Sequence, residues 1–245
     1  MPKYTYLPPD NSLGLAAEFS DYGRSRVVVL PIPYEATVSY SGGTRNGPRA
    51  ILQASTQVEL LDREFDDELA LRWGIHTLPA LAPSMEGPQV MVDAIQEAVA
   101  AQARAGKFVV GLGGEHTVSV GVARGLAQVL CAGGEPLLTV QIDAHSDLRA
   151  SYEDSAYSHA CAAWHFHQLG PLVQIGIRSV CREETDYIAA HPETVRVFFA
   201  EEVHAGAEYL DELAQRVKGH KVFLTIDVDG IDPALIPATG TPEPG

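Results

Sequence analysis

Three short stretches carry the chain's densest potential for chemistry: GGEH (113–116), DAHSD (143–147) and DVDGIDP (227–233). Asp143, His145 and Asp147 alternate along the chain, as do Asp227 and Asp229. In an extended backbone, alternate side chains share one face. Carboxylates crowded beside an imidazole are costly unless positive charge sits among them. With His116 added, these alternating residues offer two imidazoles and four carboxylates, a set that suits two divalent cations sharing bridging carboxylates. Oxygen-rich ligation with some imidazole favours Mn over Zn, whose structural sites prefer thiolate and imidazole. Cys131, Cys161 and Cys181 join none of the three stretches. Taken singly, GGEH also reads as a tight turn before a helix with its histidine as a cap, and DVDGIDP as a turn.

The elements that must position these residues follow from the apolar pattern. KFVVGLGG (107–114), PLLTVQIDAH (136–145) and KVFLTIDVDG (221–230) read as strands, so each cluster falls at a strand's carboxyl end. RVVVLPIP (26–33), LVQIGIR (172–178) and VRVFFAEEV (195–203) read as further strands. Helical spacing marks 47–61, 87–106, 117–130, 158–170, 182–191 and 207–219. Strands alternating with helices of this length imply a parallel sheet covered on both faces, and ligands in such sheets bind beyond the strands' carboxyl ends. The fold class expected is α/β, a three-layer α/β/α sandwich around a mostly parallel central sheet. One domain over 1–245 is expected, opening with an irregular arm over 1–25.

Bulk properties narrow the partners. A net charge of −15, from 17 basic and 32 acidic residues, argues against nucleic acid or an anionic membrane and is compatible with a cationic ligand. Three cysteines without a CxxC spacing fit a reducing cytoplasm. The N-terminal MPKYTYLPPDN lacks the basic and apolar regions of a secretory signal, and no apolar run is long enough to span a bilayer. His165 and His167, two apart on a presumed helix, read as surface or interface residues, and Cys161 as a small apolar packing residue.

Taken in order, GGEHT, DAHSDLR, SHA, QIGIRS, DVDGIDP and TGTPEPG, preceded by YSGGTRNGPRAI (40–51), make the chain resemble the ureohydrolase family of agmatinases and arginases. The resemblance implies an arginase-like fold and two Mn2+ ions. His116, Asp143, Asp147 and Asp227 would hold one ion, and His145, Asp143, Asp227 and Asp229 the other, with Asp143 and Asp227 bridging. It implies hydrolysis of a guanidinium group to urea and an amine by a hydroxide whose pKa two cations have lowered. Asp147 would aim that hydroxide, His159 would protonate the leaving amine, and Thr241 would line the substrate floor. GTPEPG and GGEHT are more similar to agmatinases than to arginases. Ser179 and Cys181 stand where arginases place acidic residues, which favours agmatine, with putrescine and urea as products. Guanidinobutyrate, an aminopropyl derivative of agmatine, and arginine are the alternatives within the class. Outside it stand a catalytically impaired metal-binding subunit and a metallophosphoesterase, whose DxH element normally comes first. The resemblance also implies a homo-oligomer, trimer or hexamer. Family members continue beyond the motif that contains Gly245, so a C-terminal strand and helix, with a guanidinium-gripping glutamate, are expected to be missing and the activity of these 245 residues alone is left open.

Overall fold

The computed structural model describes residues 9–245. Its strands are β1 Val27–Ile32, β2 Ile75–Thr77, β3 Phe108–Gly113, β4 Leu137–Ile142, β5 Leu172–Ile177, β6 Val195–Phe199 and β7 Lys221–Ile226. Its helices are α1 Ala17–Ser20, α2 Gly47–Ser55, α3 Leu69–Trp73, α4 Pro88–Arg104, α5 Thr117–Leu130, α6 Ala162–His167, α7 Arg182–Ala190, α8 Ala200–Ala205 and α9 Tyr209–Val217. The strands pair in parallel as two sheets, in the orders β2-β1-β3 and β6-β5-β4-β7. Helix α5 packs against both β3 and β7 and so links the two sheets. The α/β expectation of parallel strands flanked by helices holds.

Alternation along β4 divides the core. Leu137 joins a cluster with Ile95 and Met91 of α4, Val118 and Val122 of α5, and Phe166 of α6. Leu138 and Val140 face a second cluster with Val173, Ile175 and Phe198, packed against Val203, Tyr209, Leu213 and Val217 of the opposite helices. Helix α5 keeps two glycines at a propensity cost of about 1 kcal/mol each. A Cβ on Gly121 would stand 2.7 Å from the Val92 carbonyl oxygen, so the glycine permits the close approach of α4.

Several local readings change. The helix starting at Gly47 stops at Ser55 rather than running to residue 61. There Ser55 and Thr56 turn their hydroxyls onto the carbonyls of Leu52 and Gln53, a local bond that competes with helix continuation. The strand expected over 195–203 ends at Phe199, and Ala200 opens α8, whose first turn holds Glu201 and Glu202 at the positive end of the helix dipole. The helix expected over 158–170 begins as a 3-10 turn, His159–Cys161, and continues as α6. Residues 1–8 of the expected arm lie outside the described residues. The remainder forms a 3-10 turn, Ser12–Gly14, and α1. It is pinned where the Ser12 amide donates to Thr77 Oγ1 at 2.9 Å and the Leu13 amide to Ser55 Oγ at 2.8 Å. Among the described residues no helix is long and apolar enough to cross a membrane.

Candidate metal centre

Strand register brings the distant carboxylates together. β4 and β7 pair in parallel with Ile142 opposite Ile226, so Asp143 and Asp227 leave adjacent strands at the same level. The Asp227 amide donates to the Ile142 carbonyl at 2.9 Å. His116 arrives from the other sheet, between β3 and the first turn of α5. Thr225 on β7 meets it, with Oγ1 3.2 Å from His116 Nε2.

Asp143, His145 and Asp147 do not continue as an extended strand. β4 ends at Ile142, and Asp147 adopts a left-handed φ of 51°. The turn splits the alternating trio. Asp143 Oδ2 and Asp147 Oδ2 lie 3.1 Å and 2.9 Å from His116 Nδ1, with Asp227 Oδ2 at 3.4 Å. His145 Nδ1 instead lies 3.1 Å from Asp229 Oδ2 and 3.8 Å from Asp143 Oδ1. Two triads result, His116–Asp143–Asp147 and Asp143–His145–Asp229, each with its potential ligand atoms within 4.8 Å of one another. Asp143 belongs to both. All six residues line a single cavity of about 400 Å³.

The electrostatics explain why this cluster calls for positive charge. Burial raises the Asp143 pKa well above the usual carboxylate range, and the charges of Asp227 and Asp147 raise it further. Burial opposes a charge on His116, yet the hydrogen bonds it donates to Asp143 and Asp147 and the negative charges around it raise its pKa well above the ordinary imidazole value. His145 follows the same pattern: burial opposes its charge, while Asp229 above all lifts its pKa to about 9. A carboxylate–imidazole set that draws protons onto both imidazoles is chemically suited to divalent cations, with mixed oxygen and nitrogen donors as Mn2+ accepts. The residues present fit such a group.

Other polar groups, unmarked by spacing, hold the donors in place. Gln141 is fully buried on β4 and donates to Asp143 Oδ2 at 2.7 Å. Its register partner Gln174 on β5 donates to Gln141 Oε1 at 2.9 Å and to the Ser146 carbonyl at 2.6 Å. Arg178, the arginine of QIGIRS, donates to the Asp229 carbonyl at 2.8 Å, the Gly230 carbonyl at 3.2 Å and the Glu243 carbonyl at 2.7 Å. It therefore ties the third cluster to the TPEPG segment. The signal available for Gln141 and Gln174 was a buried polar residue inside an otherwise apolar strand.

His159 lines the same cavity. Its ring nitrogens face Thr37 Oγ1, 3.4 Å from Nδ1, and Ser39 Oγ, 3.3 Å from Nε2. Thr241 also lines the cavity, and its hydroxyl donates to Asp229 Oδ2 at 2.9 Å. His165 departs from its expected surface position: it is buried, stacked on Tyr157 with ring centroids 4.7 Å apart, and hydrogen-bonded through Nε2 to the Ala156 carbonyl at 2.8 Å. Cys161 packs as expected, fully buried, with burial pushing its thiol pKa up to about 11.

The model of the Arginase family matches residues 25–245. The chain belongs to the arginase family. It is an arginase-family ureohydrolase with two candidate metal-ligand triads. It is 41% identical over 231 residues to an N(1)-aminopropylagmatine ureohydrolase of Synechocystis, covering 92% of this chain and 74% of that protein. It is 34% identical over 247 residues to an agmatinase of Pyrococcus horikoshii, covering 99% of this chain and 80% of that protein. Among solved structures, the agmatine ureohydrolase of Thermoplasma volcanium superimposes with a TM-score of 0.80 at 32% identity, covering 94% of this chain and 75% of that one. The arginase-family fold thus accounts for the parallel strands and for three clusters meeting at their carboxyl ends.

Proposed function

We propose that this chain hydrolyses agmatine to urea and putrescine at a pair of Mn2+ ions. The observation that carries the reading is the two imidazole–carboxylate triads sharing Asp143, with His159 in the same cavity. His116, Asp143, Asp147 and Asp227 would hold one ion, and His145, Asp143, Asp227 and Asp229 the other. When bound, the ions would supply Lewis acidity that makes water a competent nucleophile near neutral pH.

The chain's own side chains do the rest. Asp147 accepts a hydrogen bond from the attacking water and aims its lone pair at the guanidinium carbon. The oxygen–carbon bond forms there, and the bond from carbon to the substituted nitrogen breaks. That nitrogen leaves as an amine only if it gains a proton, which His159 delivers. Thr241 spends its hydroxyl proton on Asp229, so it presents oxygen lone pairs alone, suited to a guanidinium N–H. The crowded carboxylates attract a cationic substrate. Ser179 and Cys181, both at the cavity wall, offer no carboxylate to grip an α-amino group, which supports agmatine over arginine.

One observation favours a second reading. Relatives 41% and 38% identical are named N(1)-aminopropylagmatine ureohydrolases, which supports an agmatine bearing an aminopropyl extension as substrate. The protein loaded with Mn2+ is assayed for urea from agmatine, N-aminopropylagmatine, arginine and 4-guanidinobutyrate. Release of urea with the highest kcat/KM for agmatine is expected. A preference for the extended amine moves the assignment to the second reading. Bound metal with no urea from any of the four leaves a catalytically impaired metal-binding subunit. A cytoplasmic homo-oligomer, trimer or hexamer, belongs to the same proposal on the strength of the family resemblance, and light scattering measures its mass.

A further inference from the structure

Glu115 stands next to His116 in the sequence but belongs to neither ligand triad, its carboxylate being engaged by the segment after β1. It is buried, and as a carboxylate it only accepts hydrogen bonds. Three donors converge on it: the Ala36 amide at 2.8 Å, the Thr37 amide at 2.7 Å and the Thr37 hydroxyl at 3.0 Å. Thr37 in turn meets His159 twice, accepting from the His159 amide at 3.0 Å and lying 3.4 Å from ring Nδ1.

Proton counting decides what this relay does. A hydroxyl has one proton and two lone pairs. The Thr37 proton goes to Glu115 Oε1, because a carboxylate cannot donate back. Both lone pairs of Thr37 are then available to the two His159 nitrogens, so ring Nδ1 must arrive as N–H. Ser158 Oγ, 3.4 Å from the same nitrogen, can accept from it too. The neutral ring therefore carries its lone pair on Nε2. Ser39 Oγ, 3.3 Å from Nε2, donates to that lone pair and can rotate to accept once Nε2 is protonated.

We infer that Glu115 and Thr37 are positioning residues that fix His159 as the Nδ1–H tautomer, leaving Nε2 as the atom that takes up and releases the transferred proton. This rests on the reading of His159 as the proton donor to the leaving amine. The same relay connects the metal-side loop to the segment after β1, so the ring that handles the proton is aligned from the strand end that supplies His116.

The direct test is long-range 1H–15N NMR of protein labelled with 15N-histidine, with His159 assigned through H159N. A pyrrole-type Nδ1 and a pyridine-type Nε2 are expected for the neutral ring. The opposite tautomer overturns the inference, whatever the activity. Kinetics supply the second arm. T37V removes the hydroxyl but keeps the amide held by Glu115, and should lower kcat about tenfold with KM little changed. T37S, which keeps the hydroxyl, should restore kcat. T37V with wild-type kcat and an unchanged tautomer overturns the inference; should T37V not fold, the wild-type spectrum alone decides. H159N with undiminished turnover would instead defeat the proton-donor reading, and the tautomer result would stand apart from it.

Discussion

The two imidazoles of the cluster occupy unlike surroundings. The His116 side chain is 4% exposed and faces three carboxylates, those of Asp143, Asp147 and Asp227, within 3.4 Å. The His145 side chain is 28% exposed, pairs closely with Asp229 alone, and points its other nitrogen toward Glu243 at 3.9 Å, across the open side. One pole is thus built from both sheets and sealed by Phe166, whose ring lies 5.8 Å from that of His116. The other is built from one sheet and opens to solvent. Asp143 is the hinge between them. The His116 imidazole is the more enclosed of the two, and the His145 imidazole the more open to solvent.

Breaking the hinge should have the largest effect. D143N removes a ligand common to both triads and should abolish tight binding of both ions, lowering kcat/KM by at least about a thousandfold. Metal analysis after gel filtration, alongside urea release, measures both consequences. Next come the poles one at a time. H145A should lose the outer ion and keep the inner one, so dialysis against a chelator followed by metal analysis should find about one ion per chain. H116A should lose the inner ion and also weaken the fold, since it leaves buried carboxylates unpaired. If both variants retain the same metal content, the poles are equivalent and the comparison fails.

A smaller effect is expected behind the hinge. Q141L keeps the strand and its packing but withdraws the amide that holds Asp143 Oδ2. Metal affinity should fall by about ten- to a hundredfold, as for other outer-shell partners, while the melting temperature without added metal moves little. Titration with Mn2+ followed by calorimetry reads this directly.

The smallest effect concerns stability away from the site. Burial lowers the pKa of His165, with Arg124 adding to it, and burial with the charge of His191 lowers that of His167. Below the ordinary imidazole pKa of about 6.5 the unfolded chain therefore binds more protons than the folded one. Stability is fully present above that pH and falls as pH drops toward the lowered folded values. The raised imidazoles of His116 and His145 act in the opposite sense, so the test is a difference: in urea unfolding between pH 7.5 and 5, wild type should lose more stability than H165Q as pH falls.

The sequence made the strand ends legible, because GGEH, DAHSD and DVDGIDP each follow a continuous apolar run and parallel strands are buried on both faces. It also pointed to the six residues that the fold gathers in one cavity. What it left hidden was their division. Alternation predicts one shared face for Asp143, His145 and Asp147, but the left-handed φ at Asp147 breaks that alternation, and Asp147 meets His116 while His145 meets Asp229. Periodicity carries no information about such a turn. The supports were hidden for a different reason: Gln141 and Gln174, or Glu115 and Thr37, meet across strands or loops far apart in sequence, and neither residue type announces a partner. His165 was misplaced because helical spacing weighs only its own helix, while Tyr157 and Arg124 bury it from two other elements.

The central claim is that three strand ends enclose a pair of dications around Asp143. Diffraction from crystals grown with Mn2+, recorded at the manganese absorption edge, tests it most directly. Two anomalous peaks within ligand distance of a shared Asp143 carboxylate, one beside His116 and one beside His145, are the predicted result. A single peak, or peaks that leave Asp143 uncoordinated, would contradict it.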